Sequence, residues 1–305
     1  MQYKMKKYFW FYCMATCFIT SCSVLSHSQL RNIHAFAVPA KNYPNFALIA
    51  LRRTNRLQYN NNIMEASIMP DSQLVFQSLK QSKGQFERSL EFSKKMDLDL
   101  QLIEKYATLL EQLTSGYYTD FDESDNELVE DLEGAINLFN SYSKDSIPDN
   151  VLDETIRVKS IINTKHKKAR EAKALKKIIQ VADTLIQISA SNLINILDSD
   201  LRPVMEYYNL TFMMESKTIL FRDPSLLNYT YLKFYVKQNE DFVDLQLLVS
   251  SCINALQKMS FAHKELKNNI IRRKALFKTL DDTKIFARYV KSLYQISEKL
   301  ASNEW

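Results

Sequence analysis

The residues of this chain best spaced for chemistry are acidic. Asp120, Asp122 and Ser124 stand at positions 1, 3 and 5 of a window that reaches Asp131 at position 12, the spacing at which oxygen ligands wrap a calcium ion. Position 6 is Asp125, where such a loop needs glycine for its sharp turn, and position 8 is Glu127, where it needs an apolar residue. The segment therefore reads as a solvated loop that sets negative charge at the start of the next helix, and no metal is expected. The histidines are His27, His34, His166 and His263; no two have the helical spacing of a zinc site, and HExxH is absent. His263 stands on an apolar seam near Met259 and Leu266, as a core histidine with one hydrogen-bond partner. Cys252 shares that seam with Val249 and Leu256 and reads as a buried, unreactive thiol. Glu104 and Glu111 occur singly, without the Glu and Glu-x-x-His sets of di-iron bundles. The only glycines are Gly84, Gly116 and Gly134, so no phosphate loop or nucleophile elbow can be built. No catalytic residue, no cofactor and no enzymatic activity are expected.

A different kind of chemistry is legible at the N-terminus. Lys4, Lys6 and Lys7 precede an uncharged, mostly apolar run from Tyr8 to Ile19. Twelve residues are too few to span a bilayer, which takes about 20, but they suit a secretory h-region. Ile19-Thr20-Ser21-Cys22 follows directly. This tetrapeptide resembles the lipobox of bacterial lipoproteins: an aliphatic residue, two small residues and a cysteine. The resemblance implies diacylglycerol transfer to the Cys22 thiol, cleavage between Ser21 and Cys22, and acylation of the new amine. Several acyl chains hold a protein stably to a membrane. Ser23 stands where aspartate signals retention in the inner membrane of enterobacteria, so an outer-membrane, periplasmic address is expected. No acidic export tag follows the cysteine.

Processing changes the charge. Loss of residues 1–21 removes three lysines and no acid, so the formal +5 becomes +2 on 284 residues. A nearly neutral chain argues against nucleic acid as a partner. With Cys22 acylated, Cys252 has no disulfide partner. Charge is blocked within the chain: Asp120 to Glu133 holds eight acids and no base, and Arg157 to Lys177 holds nine bases and one acid. Lys165, Lys167, Lys168, Arg170, Lys173, Lys176 and Lys177 form a basic stretch open to two readings. It faces anionic lipid or another polyanion, or it pairs with the acidic block across a helical hairpin.

The elements that position these residues are helices. Three glycines and six prolines in 305 residues are too few for the tight turns of sandwiches, barrels or doubly wound sheets. Residues 22–42 read as a lipidated tether containing Pro39, and residues 43–305 as one domain, an all-α antiparallel bundle with coiled-coil-like seams. Helices are expected over 44–67, 72–115, 124–143 and 149–198, with a break or kink at Asp200 to Pro203 and another helix to Phe221. Asp223-Pro224 reads as the next start. In 72–115 the stripe runs through Leu79, Phe86, Leu90, Met96, Leu100, Ile103, Ala107, Leu110 and Thr114. A longer 3-4 alternation runs from Phe242 through Leu245, Val249, Cys252, Leu256, Met259, His263, Leu266 and Ile270. Near Asp281-Asp282 the stripe rotates, as a turn or a stutter. The Tyr106-Ala107 and Leu109-Leu110-Leu113 heptad loosely resembles uncharacterised helical lipoproteins of Gram-negative bacteria.

Together these features predict a non-enzymatic, lipid-anchored scaffold or interaction module of the bacterial envelope, with the membrane and an envelope protein as partners. The alternatives are a membrane-active bundle similar to the α-helical pore-forming toxins, and a carrier of an apolar ligand. Against the first, the uncharged run Thr184 to Leu197 is short and carries Gln, Ser and Asn.

Overall fold

The computed structural model describes residues 25–302 apart from 68–71, 116–123, 144–145, 163–166, 223, 225–228 and 273–275. It is an all-α antiparallel bundle. In chain order the helices are α1 (His27–Ser67), α2 (Ser72–Ser115), α3 (Ser124–Tyr142), α4 (Asp149–Ile162), α5 (Lys167–Asn195), α6 (Arg202–Arg222), α7 (Tyr229–Arg272) and α8 (Leu276–Ser302), with a π-helical stretch Ile196–Leu201 between α5 and α6. Residues 1–24, including Cys22, and residues 120–123 of the Asp120–Asp131 window lie outside the described residues, as do the side chains of Ser124 and Asp125.

Side-chain pairs fix the directions. Lys41–Glu111 (2.7 Å) and His34–Thr114 (3.3 Å) run α1 against α2. Lys105–Asp131 (2.6 Å) joins α2 to α3. Lys159 and Glu130 pair across the α3–α4 hairpin, whose turn is closed by Asn140, bonded to both N–H and C=O of Ile147. Lys299–Asp244 (2.6 Å) closes the α7–α8 hairpin. α8 then runs parallel to α1: Phe36 meets Phe286, Phe46 meets Tyr294, and Arg53 donates to Leu300 O.

The expected tether is the first correction. Residues 27–42 belong to α1, and Leu30, Ile33, Phe36, Ala37 and Ala40 are buried in the core. Pro39 and Pro44 lie inside this helix, where each removes an N–H and strains the preceding turn at a cost of about 3 kcal/mol. Burial of the whole face, with alanines at 37, 40, 47 and 50 permitting close approach, offsets that cost. The start of α1 is set locally. Ser26 and Gln29 form a reciprocal capping box, Gln29 N–H to Ser26 Oγ (3.3 Å) and Ser26 N–H to Gln29 Oε1 (2.9 Å). Leu25 and Leu30 occupy the flanking staple positions, and both are buried.

One further boundary differs, and two that the sequence leaves open are resolved. The expected 149–198 helix is two helices folded back on each other, since Lys177 reaches Glu154 at 3.1 Å. One straight helix would hold those residues roughly 35 Å apart. The break or kink expected at Asp200 to Pro203 is a widened turn through which the helix continues. Arg202 N–H bonds to Leu197 O, five residues back. Pro203 offers no N–H and would press its ring on the carbonyl four residues earlier, so the wider π turn makes room for it. The rotation near Asp281-Asp282 lies inside α8, and the reversal falls between Arg272 and Leu276. The main seams agree with expectation: Phe242, Leu245, Val249, Cys252, Leu256, Met259, His263, Leu266 and Ile270 are all buried, as are Met96, Leu100, Ile103, Ala107, Leu110 and Thr114. Leu79, Phe86, Leu90 and the proposed cap Asp223 lie outside the residues whose side chains are described.

Ser26→Ala removes the side-chain acceptor of the α1 cap and is expected to destabilise the protein by about 1 kcal/mol, measured as a lowered midpoint in chemical denaturation with an unchanged slope.

Candidate functional site

The most polar feature of the core centres on His263. The α7 seam brings the imidazole inward, where it is fully buried. Its Nδ1 lies 3.1 Å from Asp183 Oδ1 on α5, and its Nε2 lies 2.7 Å from the Tyr106 hydroxyl on α2. Lys267, one turn along α7, donates to the other Asp183 oxygen at 2.7 Å. The carboxylate can only accept, so Nδ1 carries the proton and Nε2 accepts from Tyr106. Phe36 and Tyr106 set ring edges against the imidazole. His263 thus has two partners, not the single one expected, because helices on both sides of the seam supply polar groups.

The charges follow from these contacts. Burial holds the His263 pKa below its ordinary 6.5, although Asp183 opposes that effect. Burial alone would raise Asp183; the hydrogen bonds from His263 and Lys267 outweigh it and bring its carboxyl down to about 2. Burial pushes Tyr106 well above the usual phenol range. Tyr106 and His263 are fully buried, and the cluster reaches the surface only through the partly exposed Lys267 and the edge of Asp183. The cluster joins α2, α5 and α7. Cys252 behaves as the sequence suggests: it is buried, and burial pushes its thiol up to about 12. Tyr43 of α1 donates to the Cys252 carbonyl at 3.3 Å.

A second buried acid has no such support. Glu215 on α6 is nine-tenths buried, and its Oε2 has no hydrogen-bond partner. Burial, with the nearby charge of Glu65 on α1, raises its pKa to about 7.

The two charge blocks meet at a pair that lies outside the basic stretch 165–177. Lys159 meets Glu130, whereas Lys177 turns to Glu154 of its own hairpin and Asp131 turns to Lys105. Lys173 is exposed and Lys176 half-buried. Lys165, Lys167, Lys168 and Arg170 lie outside the residues whose side chains are described. Among the described residues no group of three or more His, Cys, Asp or Glu could hold a metal ion.

The exposed apolar residues are concentrated elsewhere. α6 packs antiparallel on the first half of α7, with Phe212 against Phe234 and Tyr235, Tyr231 donating to Ser216 O, and Arg202 near Ser250. The inward face of α6 carries Met205, Tyr208 and Phe212. Its outward face is also apolar: Val204 (43% exposed), Tyr207 (62%), Met214 (62%) and Phe221 (92%). With Thr211 and Thr218 these residues step by three and four, the spacing of a coiled-coil seam. α7 separately exposes Tyr229, Leu232, Val236, Val243 and Leu247. Monomeric proteins rarely leave a large apolar face such as that of α6 uncovered. A helix apolar on both sides carries no periodic signal in its sequence.

In comparisons with known proteins, no family model, no curated protein and no solved structure matches this chain.

His263→Ala leaves Tyr106 and one Asp183 oxygen unpaired in the core and is expected to cost about 3 kcal/mol or more, seen as faster amide exchange in α2, α5 and α7. Stability is also expected to depend on pH with two opposite signs. The unfolded chain protonates His263 first, so stability falls as pH drops below about 6.5, and Asp183 adds to the loss as pH falls from its ordinary 3.8 towards 2. For Glu215 the folded pKa is the higher one, so its contribution is complete below 4.5 and lost as pH rises to about 7. Glu215→Gln should remove the loss on the alkaline side and keep the one on the acid side, as read from denaturation midpoints at pH 4 to 8.

Proposed function

We propose that the protein is a non-enzymatic, lipid-anchored scaffold of the bacterial envelope. Acylated Cys22 holds it to the outer membrane on the periplasmic side, and the outward face of α6 is its interaction surface. The lipobox-like Ile19-Thr20-Ser21-Cys22 supports the anchor. The observation that carries the interaction surface is the exposed seam of Val204, Tyr207, Met214 and Phe221. No helix among the described residues is long and apolar enough to cross a membrane.

The occupant that fits this face is α6 of a second copy, paired antiparallel. Glu206 and Lys217 are both exposed and, at 100° per residue, lie on the same flank of the seam. An antiparallel two-fold pair sets like flanks together with their ends reversed. Each Glu206 then approaches the partner's Lys217, and Val204 of each copy lies over the partner's Phe221. A parallel pair would instead set each Glu206 level with its twin.

Met214→Cys places a thiol near the centre of this seam. Treatment of membranes with a short bismaleimide is expected to give a crosslinked dimer, and the same substitution at exposed Lys173 is not. Glu206→Lys should abolish the dimer and Glu206→Lys with Lys217→Glu should restore it. A dimer indifferent to these charges, or a crosslink to a different protein alone, would overturn self-pairing. The anchor has its own measurement: a palmitate analogue should label the wild type and not Cys22→Ala, and equal labelling of both would remove it.

A further inference from the structure

We propose that a cleft between α1 and α7 binds an organic phosphate, a phosphomonoester with a compact apolar substituent. The cleft has a volume of about 360 Å³, within the range of small-ligand sites. One wall comes from α1 at the spacing of a single helical face, Arg53, Arg56, Leu57 and Asn60. The other comes from the first half of α7. Because these two helices run antiparallel, Arg53 and Arg56 converge with Lys233 and Lys237 on one space. The sole acid in the lining is Asp241. One carboxylate offsets at most one of four positive charges, so the lining keeps an excess of three whichever pairs form within it. That excess suits a dianion more than a single carboxylate.

The donors are of the right type, and Arg53 is held in place. Guanidinium groups match phosphate oxygens with two parallel N–H bonds, and lysines add point charge. Arg53 is fixed from α8 by its bond to Leu300 O at 2.7 Å. Asn60 donates to Gln238 Oε1 at 3.1 Å and ties the two walls together. Thr230 adds a hydroxyl at the rim, where α7 presents its N-terminal, positive end. The floor is apolar: Leu57 and Leu245 are buried, and Phe234 turns one edge to Phe212 while its ring stays 41% exposed. An inorganic ion would leave that floor wet, whereas a phenyl or short acyl group would cover it. The volume suits one such molecule. This inference needs neither the lipid anchor nor the pairing of α6.

The experiment is calorimetric titration of the full-length protein in a non-ionic detergent, with three probes. Phenyl phosphate is expected to bind one to one and to raise Tm, and inorganic phosphate to bind at least fivefold more weakly. Dihexanoyl phosphatidic acid tests the lipid source of the same chemistry. If it binds more tightly than phenyl phosphate, the ligand is a phospholipid headgroup; if more weakly, it is a soluble phosphomonoester, and both results uphold the site. Arg56→Gln with Lys233→Gln should weaken phenyl phosphate roughly tenfold or more, and Lys258→Gln, an exposed base further along α7, should change nothing. Both variants substitute exposed side chains, and an unchanged Tm without ligand confirms folding. No saturable binding of either organic probe, or equal binding by the double variant, overturns the proposal. Inorganic phosphate binding as tightly as phenyl phosphate overturns the apolar substituent.

Discussion

Long helices with repeating apolar seams have a register problem, and the buried His263 cluster solves it. A 3-4 seam matches itself after a shift of one heptad, because leucine packs on leucine almost as well in the next hole. Polar pairs do not. His263 finds a donor on Tyr106 and an acceptor on Asp183 in one register only, and any slide would leave buried polar atoms unsatisfied. The Tyr43 bond to Cys252 O and the Gln187–Ser260 contact pin the neighbouring helices in the same way. The rest of the bundle, including the cleft and the exposed face of α6, stands in the positions these contacts fix.

The sequence made the seams legible and left the breaks harder to see. Every described seam residue from Phe242 to Ile270 is buried, because a single face inherits its pattern from a single period. The helix starts at Ser124 and Asp149 were legible for the same reason as the missed one at Ser26: a short polar side chain ahead of an apolar run. Pro39 concealed that start. Proline is ordinarily a boundary, and only tertiary burial of Phe36, Ala40 and Tyr43 makes it tolerable inside α1. The reversal after Ile162 was missed because Asn163-Thr164-Lys165-His166 contains neither glycine nor proline. The second partner of His263 lies 80 residues away in Asp183, and nothing in local sequence couples the two.

α6 reads poorly for a physical reason that also bears on its role. An ordinary surface helix separates its faces, so that periodicity reveals the inside. α6 is apolar inside and out, and the buried Glu215 sits on its inner face. The inner packing is therefore less favourable than its apolar content suggests, since a carboxyl without a partner on one oxygen must stay protonated or be desolvated as an anion. A helix held in this way gains from cover on its outer face. The face with the greatest need of a partner is thus the one whose periodic signal is weakest.

The short distance between Cys22 and the α1 cap constrains how such a partner could approach. Only Ser23, Val24 and Leu25 separate Cys22 from Ser26, a reach of roughly 14 Å when fully extended. An acylated protein would then keep its bundle at the bilayer surface, without the freedom of the expected twenty-residue tether. Two copies in one leaflet are related by rotation about the membrane normal. An antiparallel helix pair has its two-fold axis perpendicular to the helices. Both conditions hold together only if α6 lies parallel to the membrane, and with it the remaining helices of an antiparallel bundle. In that orientation a short N-terminal link suffices, because the bundle needs no height above the bilayer to bring the two α6 faces into contact.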